Sequence, residues 1–229
     1  MKETLPSNGC DFFDVDHTIV DGSTSLQSLI TGIELQMLPL RILYSIPKIY
    51  LQYYFGSLDT SVASRCIKEL EGMPKSDLQQ IGEQNFRKRI RPKIFKDAEL
   101  CIAERISSGR KIVLITSSFT HVVEPLAMSL HVEHILANTL VIDRDLTSGY
   151  IQEPFLFGIE KKVQALAFMD SHGFLPQECS FFTDSVNDLP LLDIVGEPVV
   201  VNPDYRLRKI ARERNWKIEK FHRHKCPTV

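Results

Sequence analysis

The chain alternates between short runs of apolar residues and longer segments whose apolar residues recur every three or four positions. The short runs are rich in β-branched and aromatic residues, as in the buried strands of parallel sheets, and the longer segments are typical of amphipathic helices. The predicted strands are 10–15, 111–116, 134–137, 179–183 and 198–201, with a small hairpin at 139–143 and 149–152. The predicted helices are 97–107, 120–130, 159–172 and 187–194, followed by a final helix. This order predicts an α/β fold with a doubly wound, Rossmann-like core of mainly parallel strands.

A long helical block interrupts the alternation after the first predicted strand. From about 23 to 88 the chain has helical character. Its breaks fall at Pro39, Pro47, Gly56, Gly72 and Pro74. Proline and glycine interrupt helices, so the block is expected to contain several short helices. We therefore predict an α/β core domain made of 1–21 and 91–229, with an inserted helical cap domain at 22–90.

The segment 35–56, LQMLPLRILYSIPKIYLQYYFG, is long and apolar enough to be compared with a membrane span. Arg41 and Lys48 lie inside it, and a charge near the centre of a membrane helix costs about 2.5–3.5 kcal/mol. We therefore expect a pair of helices packed through their apolar faces against neighbouring elements. Because several tyrosines accompany the basic residues, contact with a membrane surface is the less favoured alternative.

The overall composition limits the classes of function. A net charge of −2 offers no broad basic face for nucleic acid, and 43% hydrophobic with 24% charged residues is ordinary for a globular protein. The five cysteines are scattered without a CxxC pair, which favours buried thiols in a reducing compartment. The first residues, MKETLPSNG, lack the basic and apolar regions of a secretory signal. We therefore expect a cytoplasmic protein that does not bind nucleic acid.

Polar side chains follow three of the predicted strands. They are Asp14, Asp16 and Thr18 after the first strand, Thr116, Ser117 and Ser118 after KIVLI, and Asp184, Ser185, Asn187 and Asp188 after CSFFT. Ligands of open parallel sheets bind beyond the carboxyl ends of the strands, so these groups are expected to face one another. Four carboxylates together are electrostatically costly unless a hard cation neutralises them. Mg²⁺ suits such a set, completed by water and a substrate phosphate.

Taken singly, these residues also have ordinary structural explanations. A lone Asp-x-Asp is typical of a solvated turn at a strand end, and Thr116 of a β-branched residue in a strand. Asp188 is equally suited to cap the helix that runs into LPLL. The occurrence of all these residues in one chain favours a functional site over the separate structural explanations.

Four motifs occur in a fixed order: DVDHT after the first strand, VLITSS at the second, EKKVQAL at the start of a helix and TDSVND at a later strand end. In this order they resemble the haloacid dehalogenase superfamily of aspartate-dependent phosphotransferases. The similarity is to its phosphoserine-phosphatase-like members, whose helical cap is inserted after the first motif. It covers nearly the whole chain, including IRPKIF, VEPLA and VNPDYRLRKIARERNW. Each motif is weak alone, whereas the ordered set is specific.

The resemblance implies a role for each acidic residue. Asp14 is expected to be the nucleophile that forms an aspartyl-phosphate. Asp16 is expected to be the general acid and base, with its backbone carbonyl on the metal. Asp184 would bind Mg²⁺ together with them, and Asp188 would orient its water or a lysine. Asn187 is expected to lie close enough to touch the phosphate or the substrate.

The resemblance also implies a phosphate-binding set. Thr116 is expected to hydrogen-bond the transferring oxygens, helped by the backbone N–H groups of Ser117 and Val15. A lysine would neutralise the same oxygens, and two adjacent lysines are candidates. The similarity of KVQAL to the family pattern favours Lys162, which leaves Lys161 as a solvated surface charge.

The cap is expected to select the substrate. Where phosphoserine phosphatases of this type carry a glutamate for the substrate's amino group, this chain has Ser23, which counts against phosphoserine. Arg65 lies roughly where the family places an arginine for a substrate carboxylate, although a helix-surface arginine is an equal interpretation.

These observations predict a Mg²⁺-dependent phosphatase that hydrolyses a small phosphorylated metabolite through an aspartyl-phosphate. Two alternatives share the fold. One is a phosphatase of membrane lipid head groups, which would use the apolar segment 35–56. The other is a catalytically idle binding protein, which the presence of both Asp14 and Asp16 disfavours.

Overall fold

The computed structural model describes residues 9–45 and 67–223 and confirms the α/β class with a Rossmann-like parallel sheet. The strands are β1 Cys10–Phe13, β2 Lys111–Phe119, β3 His134–Asn138, β4 Leu140–Asp143, β5 Leu146–Ile151, β6 Ser180–Thr183, β7 Glu197–Val201 and β8 Lys217–Glu219. The α-helices are α1 Thr24–Glu34, α2 Lys75–Asn85, α3 Lys96–Ser107, α4 Thr120–Ser129, α5 Ile159–His172, α6 Leu189–Leu192 and α7 Tyr205–Glu213. Six strands pair in parallel in the order β3-β2-β1-β6-β7-β8.

Helices cover both faces of this sheet because successive strand residues point to opposite sides. On one face Phe13 of β1 stacks on Phe182 of β6, with ring centroids 4.2 Å apart. The apolar residues of α3 and α4 pack there. On the other face Phe12 and Phe181 join the apolar residues of α5 and α7. The sheet is therefore doubly wound, with β1 at its buried centre.

Helices α1 and α2 contribute to a separate apolar cluster beside the sheet. Leu78 and Ile81 of α2 pack with Leu38, Met73 and Leu140. This helix also lies against α4 at very short range, because a Cβ on Gly82 would come within 1.9 Å of the carbonyl oxygen of His121. Within the described residues, the predicted breaks at Pro39 and Pro74 both lie between helices, whereas Pro47 and Gly56 fall outside them.

The hairpin β4–β5 packs against this inserted region rather than against the sheet. The N–H of Gly72 donates to the carbonyl of Thr147 at 2.8 Å, and the N–H of Thr147 donates to the carbonyl of Met73 at 2.9 Å. Its turn is shorter than predicted, because Arg144 and Asp145 both adopt positive φ and reverse the chain in two residues. The second strand is therefore 146–151 instead of 149–152. The domain boundaries at 22 and 90 stay predictions.

The apolar segment 35–56 is described only as far as residue 45, where Leu40–Ser45 forms a 3₁₀ helix. Among the described helices, none has the length and apolar character needed to cross a bilayer. Both predictions for this segment, helix packing and membrane-surface contact, therefore concern a segment of which half lies outside the described part.

A buried ion network holds the opposite edge of the sheet, at the amino ends of the strands. Asp11 is fully buried, and the guanidinium of Arg110 binds both of its carboxylate oxygens, at 2.7 and 2.6 Å. Arg105 adds a contact at 3.0 Å, and the hydroxyl of Ser180 donates to Asp11 at 2.6 Å. This network joins β1, β6, β2 and α3 far from the groups that follow the strands' carboxyl ends.

Asp11→Ala should therefore lower the free energy of unfolding by about 3–5 kcal/mol, since it leaves the buried guanidinium of Arg110 and the partly buried one of Arg105 without their shared partner. Urea unfolding measures this change. Asp193→Ala is the matched control, because the exposed pair of Asp193 with Arg214 should contribute about 1 kcal/mol or less. Equal losses in the two variants would contradict the structural role given to this network.

Candidate active site

Asp14 occupies the first position beyond β1, and its backbone N–H donates to the carbonyl of Phe182 at 2.9 Å. The side chain is 2% exposed. One carboxylate oxygen, Oδ1, accepts a hydrogen bond from Nζ of Lys161 at 2.8 Å. The other oxygen, Oδ2, is buried and has no hydrogen-bond partner among the described residues. A buried carboxylate oxygen without a partner costs free energy, so this atom is poised for a ligand.

The lysine in the site is Lys161, so the preference for Lys162 was wrong about placement. Lys161 is 1% exposed, and its ammonium also contacts Oδ2 of Asp188 at 3.0 Å. Lys161 shares the inner face of α5 with the buried residues Ala165 and Met169, four and eight positions further on. Lys162 lies one position round the helix and is half-buried. The period of the buried residues in α5 was the sequence signal that identifies the inward-facing lysine.

Asp188 is directed into the site instead of capping a helix. By position it precedes α6, but its side chain makes no cap hydrogen bond. Its Oδ2 accepts from Lys161 and, at 2.6 Å, from the hydroxyl of Thr183. Thr183, the last residue of β6, was not predicted as a site residue, because a threonine at a strand end is ordinary.

Burial and mutual repulsion make the carboxylates expensive to ionise in the protein alone. Burial raises the pKa of Asp14 to about 7, even though Lys161 lowers it. The pKa of Asp184 is also raised well above its usual range, first by burial and then by the charges of Asp14 and Asp188. Burial opposes the charge of Lys161, but the two neighbouring carboxylates raise its pKa above the usual value. One ammonium thus contacts two buried acids, Asp14 and Asp188, with the half-buried Asp184 acting on the same charges, and a further cation would relieve the excess negative charge.

The end of β2 supplies hydroxyl and backbone groups to the same edge. The pairing of β2 with β3 shifts register between Ile115 and Phe119, an irregularity of the kind that re-aims side chains next to functional sites. Thr116 is buried, and the buried hydroxyl of Ser117 has no hydrogen-bond partner among the described residues. The side chain of Asn138 holds the end of β2 in place by donating to the carbonyl of Ser117 at 2.8 Å.

Asp16 lies in the same loop as Asp14 but contacts different groups. Its Oδ1 accepts from the backbone N–H of Thr24 at 3.0 Å and from the Thr24 hydroxyl at 2.6 Å. Thr24 is the first residue of α1, so the inserted region holds this carboxylate directly. Neither this contact nor the role of Thr24 was predicted, since no motif extends to this position.

The residues predicted to contact the substrate are Ser23, Arg65 and Asn187. The structure shows protein contacts for Ser23 and Asn187, and it does not describe Arg65. Ser23 is the N-cap of α1, and its hydroxyl accepts from the N–H of Leu26 at 3.4 Å. Arg65 lies outside the described residues. Asn187 lies in a 3₁₀ turn after β6, where its N–H donates to the hydroxyl of Ser185 at 3.3 Å. Substrate contact by these residues stays a prediction.

The acidic groups fit a hard cation that keeps water among its ligands. Within 9–45 and 67–223, no three His, Cys, Asp or Glu side chains come together closely enough to hold a metal ion by themselves. Zinc and calcium sites need such a set, whereas Mg²⁺ is held by one or two carboxylates, with water and phosphate completing its octahedron. The unpartnered Oδ2 of Asp14 and the raised pKa of Asp184 are the observations that match this requirement.

Comparisons with known proteins agree with this geometry. The family model that describes the sequences of haloacid dehalogenase-like hydrolases matches residues 12–193. Phosphoserine phosphatase SerB1 of Mycobacterium tuberculosis is 28% identical over 216 residues, covering 92% of this chain and 70% of that protein. Histidinol-phosphatase of Neisseria meningitidis is 29% identical over 181 residues, covering 76% of this chain and 81% of that protein. A solved structure of a protein of unknown function from Bordetella pertussis Tohama I superposes with a TM-score of 0.81 at 24% identity, covering 92% of this chain and 97% of that one.

The chain therefore belongs to the haloacid dehalogenase-like hydrolase family, among its phosphoserine-phosphatase-like members. It is an enzyme of the phosphomonoester hydrolase class. The predicted family and enzyme class are confirmed, and the idle binding protein loses its support.

Proposed function

We propose that this enzyme hydrolyses the phosphomonoester of a small metabolite in two steps through a covalent phosphoryl group on Asp14. The observation that carries the proposal is the Asp14 carboxylate, which has one oxygen fixed by Lys161 and the other buried without a partner. An oriented carboxylate with one free oxygen is the arrangement that in-line attack on phosphorus requires.

In the first step, an oxygen of Asp14 attacks phosphorus while the bond from phosphorus to the leaving oxygen breaks. The leaving oxygen takes a proton from Asp16 and departs as an alcohol. In the second step, Asp16 removes a proton from water, the water oxygen attacks phosphorus, and the bond to Asp14 breaks to release inorganic phosphate. The overall change is one ester and one water to one alcohol and one phosphate.

The other groups stabilise charge on the transferring phosphoryl oxygens. Lys161 supplies a fixed positive charge next to Asp14. Its ammonium also donates to Asp188, whose carboxylate is held in turn by the hydroxyl of Thr183. Thr116 and Ser117 offer donors from the end of β2. Phosphoryl transfer depends mainly on such positioning and charge stabilisation, because the protein contributes little covalent chemistry beyond the nucleophile.

Mg²⁺ would be held by the carboxylates of Asp14 and Asp184 and the backbone carbonyl of Asp16. When bound, it would neutralise these acids and draw negative charge from the phosphoryl oxygens. The donor set is all oxygen, as this cation prefers.

The substrate is proposed only as a class, a small phosphorylated alcohol. The relatives named for phosphoserine and for histidinol phosphate resemble this chain at nearly the same identity, so similarity does not choose between them. Ser23 at the position of an expected glutamate argues against an ammonium group read by charge at that point.

Removing Mg²⁺ with EDTA should abolish phosphate release from 4-nitrophenyl phosphate, and excess Mg²⁺ should restore it. Asp184→Asn should raise the Mg²⁺ concentration for half-maximal activity by at least about tenfold, since even outer-shell partners of a metal site change affinity by 10–100-fold. Asp193→Asn, an exposed acid beside Arg214, serves as the control. Full activity after exhaustive chelation would overturn the metal assignment.

A further inference from the structure

We propose that Thr24 is a positioning residue for Asp16, an inference that rests on the proposed function. Thr24 is fully buried at the start of α1. Its backbone N–H and its hydroxyl both reach the same atom, Oδ1 of Asp16, at 3.0 and 2.6 Å. Two donors on one oxygen fix the plane of the carboxylate and leave Oδ2 as the atom that exchanges a proton with the leaving group.

The Thr24 hydroxyl belongs to a chain of three hydroxyl groups. The Ser118 oxygen lies 3.0 Å from the Thr24 hydroxyl and 2.8 Å from that of Ser25. Thr24 has one hydroxyl proton, and a carboxylate can only accept, so the 2.6 Å contact with Asp16 takes this proton. The Ser118 oxygen is a second acceptor within reach of the Thr24 hydroxyl, and Ser25 contacts Ser118 from the other side. The contact with Asp16 is the shorter of the two that the Thr24 hydroxyl makes.

The same network ties Asp16 to the inserted helices and to the end of β2. Asn85, fully buried at the end of α2, donates to the carbonyl of Thr24 at 3.3 Å. The N–H of Ser118 donates to the hydroxyl of Thr116 at 3.1 Å. Thr24 therefore lies where the inserted helices, Asp16 and the end of β2 meet, and displacement of α1 would release Asp16.

A misplaced general acid has a specific kinetic consequence. Phenolate is a basic leaving group that benefits from protonation as the bond to phosphorus breaks, whereas 4-nitrophenolate departs readily without a proton. The two phenyl esters have nearly the same shape, so a loss confined to the more basic leaving group reports on proton donation. A general loss of folding or of phosphate binding affects both esters equally.

The test compares kcat/KM for phenyl phosphate and 4-nitrophenyl phosphate at saturating Mg²⁺. Thr24→Val should lower the value for phenyl phosphate by about 10–100-fold, within the range that general acid catalysis contributes, and that for the nitrophenyl ester by less than about threefold. Thr24→Ser keeps the hydroxyl and should restore both values. Thr31→Val is the matched control, because Thr31 is a buried threonine of the same helix that bonds Gln27 and Asn85 but not Asp16.

Ser118→Ala removes the hydroxyl that holds the Thr24 side chain from the other side and should lower only the phenyl phosphate value by about threefold to tenfold, within the general acid contribution. If Thr24→Val does not fold, Ser118→Ala still tests the proposal. Equal losses for the two esters in either variant, or no loss in both, would overturn the role of Thr24. Activity that survives Asp14→Asn would instead overturn the proposed function, and the assignment of Thr24 with it.

Discussion

Asp14→Asn is expected to lower phosphatase activity by about 10⁴-fold or more, the scale on which the loss of a covalent nucleophile lowers kcat in well-studied enzymes. The amide keeps the shape of the side chain but cannot attack phosphorus. Hydrolysis of 4-nitrophenyl phosphate at saturating Mg²⁺ measures the change. Because burial already disfavours the charge on Asp14, the variant should unfold within a few degrees of the wild type.

A second measurement separates this result from a contaminating phosphatase. Acid quenching during turnover should trap a phosphoryl group on the wild-type protein, detectable by intact-mass spectrometry, and no such species should form in Asp14→Asn. Residual activity in the variant that follows the protein through a further purification step would refute the assignment of the nucleophile.

Lys161→Met should lower kcat/KM by about 10²–10³-fold, the loss found when one preorganised donor to a transition-state oxyanion is removed. The reason is local: its ammonium lies 2.8 Å from Asp14 and 3.0 Å from Asp188, and methionine fills similar volume without the charge. Both buried acids would then lose the ammonium that contacts them. Assays below the melting temperature, checked by circular dichroism, separate this effect from unfolding.

Lys162→Met is the matched control, since it makes the same change one position along the same helix. Lys162 is half-buried outside the acidic cluster, so its variant should keep activity within about twofold, as surface substitutions usually do. A large loss in Lys162→Met with little change in Lys161→Met would reverse the assignment made from the structure.

The sheet and the acidic cluster were predictable because their signals are local and strong. CDFF and SFFT are short apolar runs, and polar groups follow each of them, so the topology of a parallel sheet brings Asp14 and Asp188 to one edge. Strand β8 was missed because KIE is a three-residue edge strand with two charges. Such a strand has almost no apolar face by which a pattern can identify it.

The fine geometry of the site was not predictable for a different reason. The choice between Lys161 and Lys162 depends on the rotation of α5, which the packing of Ala165 and Met169 sets. The contact between Thr24 and Asp16 depends on how α1 enters from the inserted region, which no short motif encodes. Tertiary packing, rather than local propensity, decides both.

The central position of β1 also has a consequence for how the chain acquires activity as it is made. β1 leaves the ribosome before β2 and β6, the two strands with which it pairs. The hydrogen bond from the N–H of Asp14 to the carbonyl of Phe182 can form only after β6 has been synthesised. Non-local parallel pairing is slow, and synthesis proceeds from the N-terminus. A nascent chain that ends before β6 therefore has the proposed nucleophile but not the strand that holds it, and we expect activity only after the second half of the sheet has been synthesised.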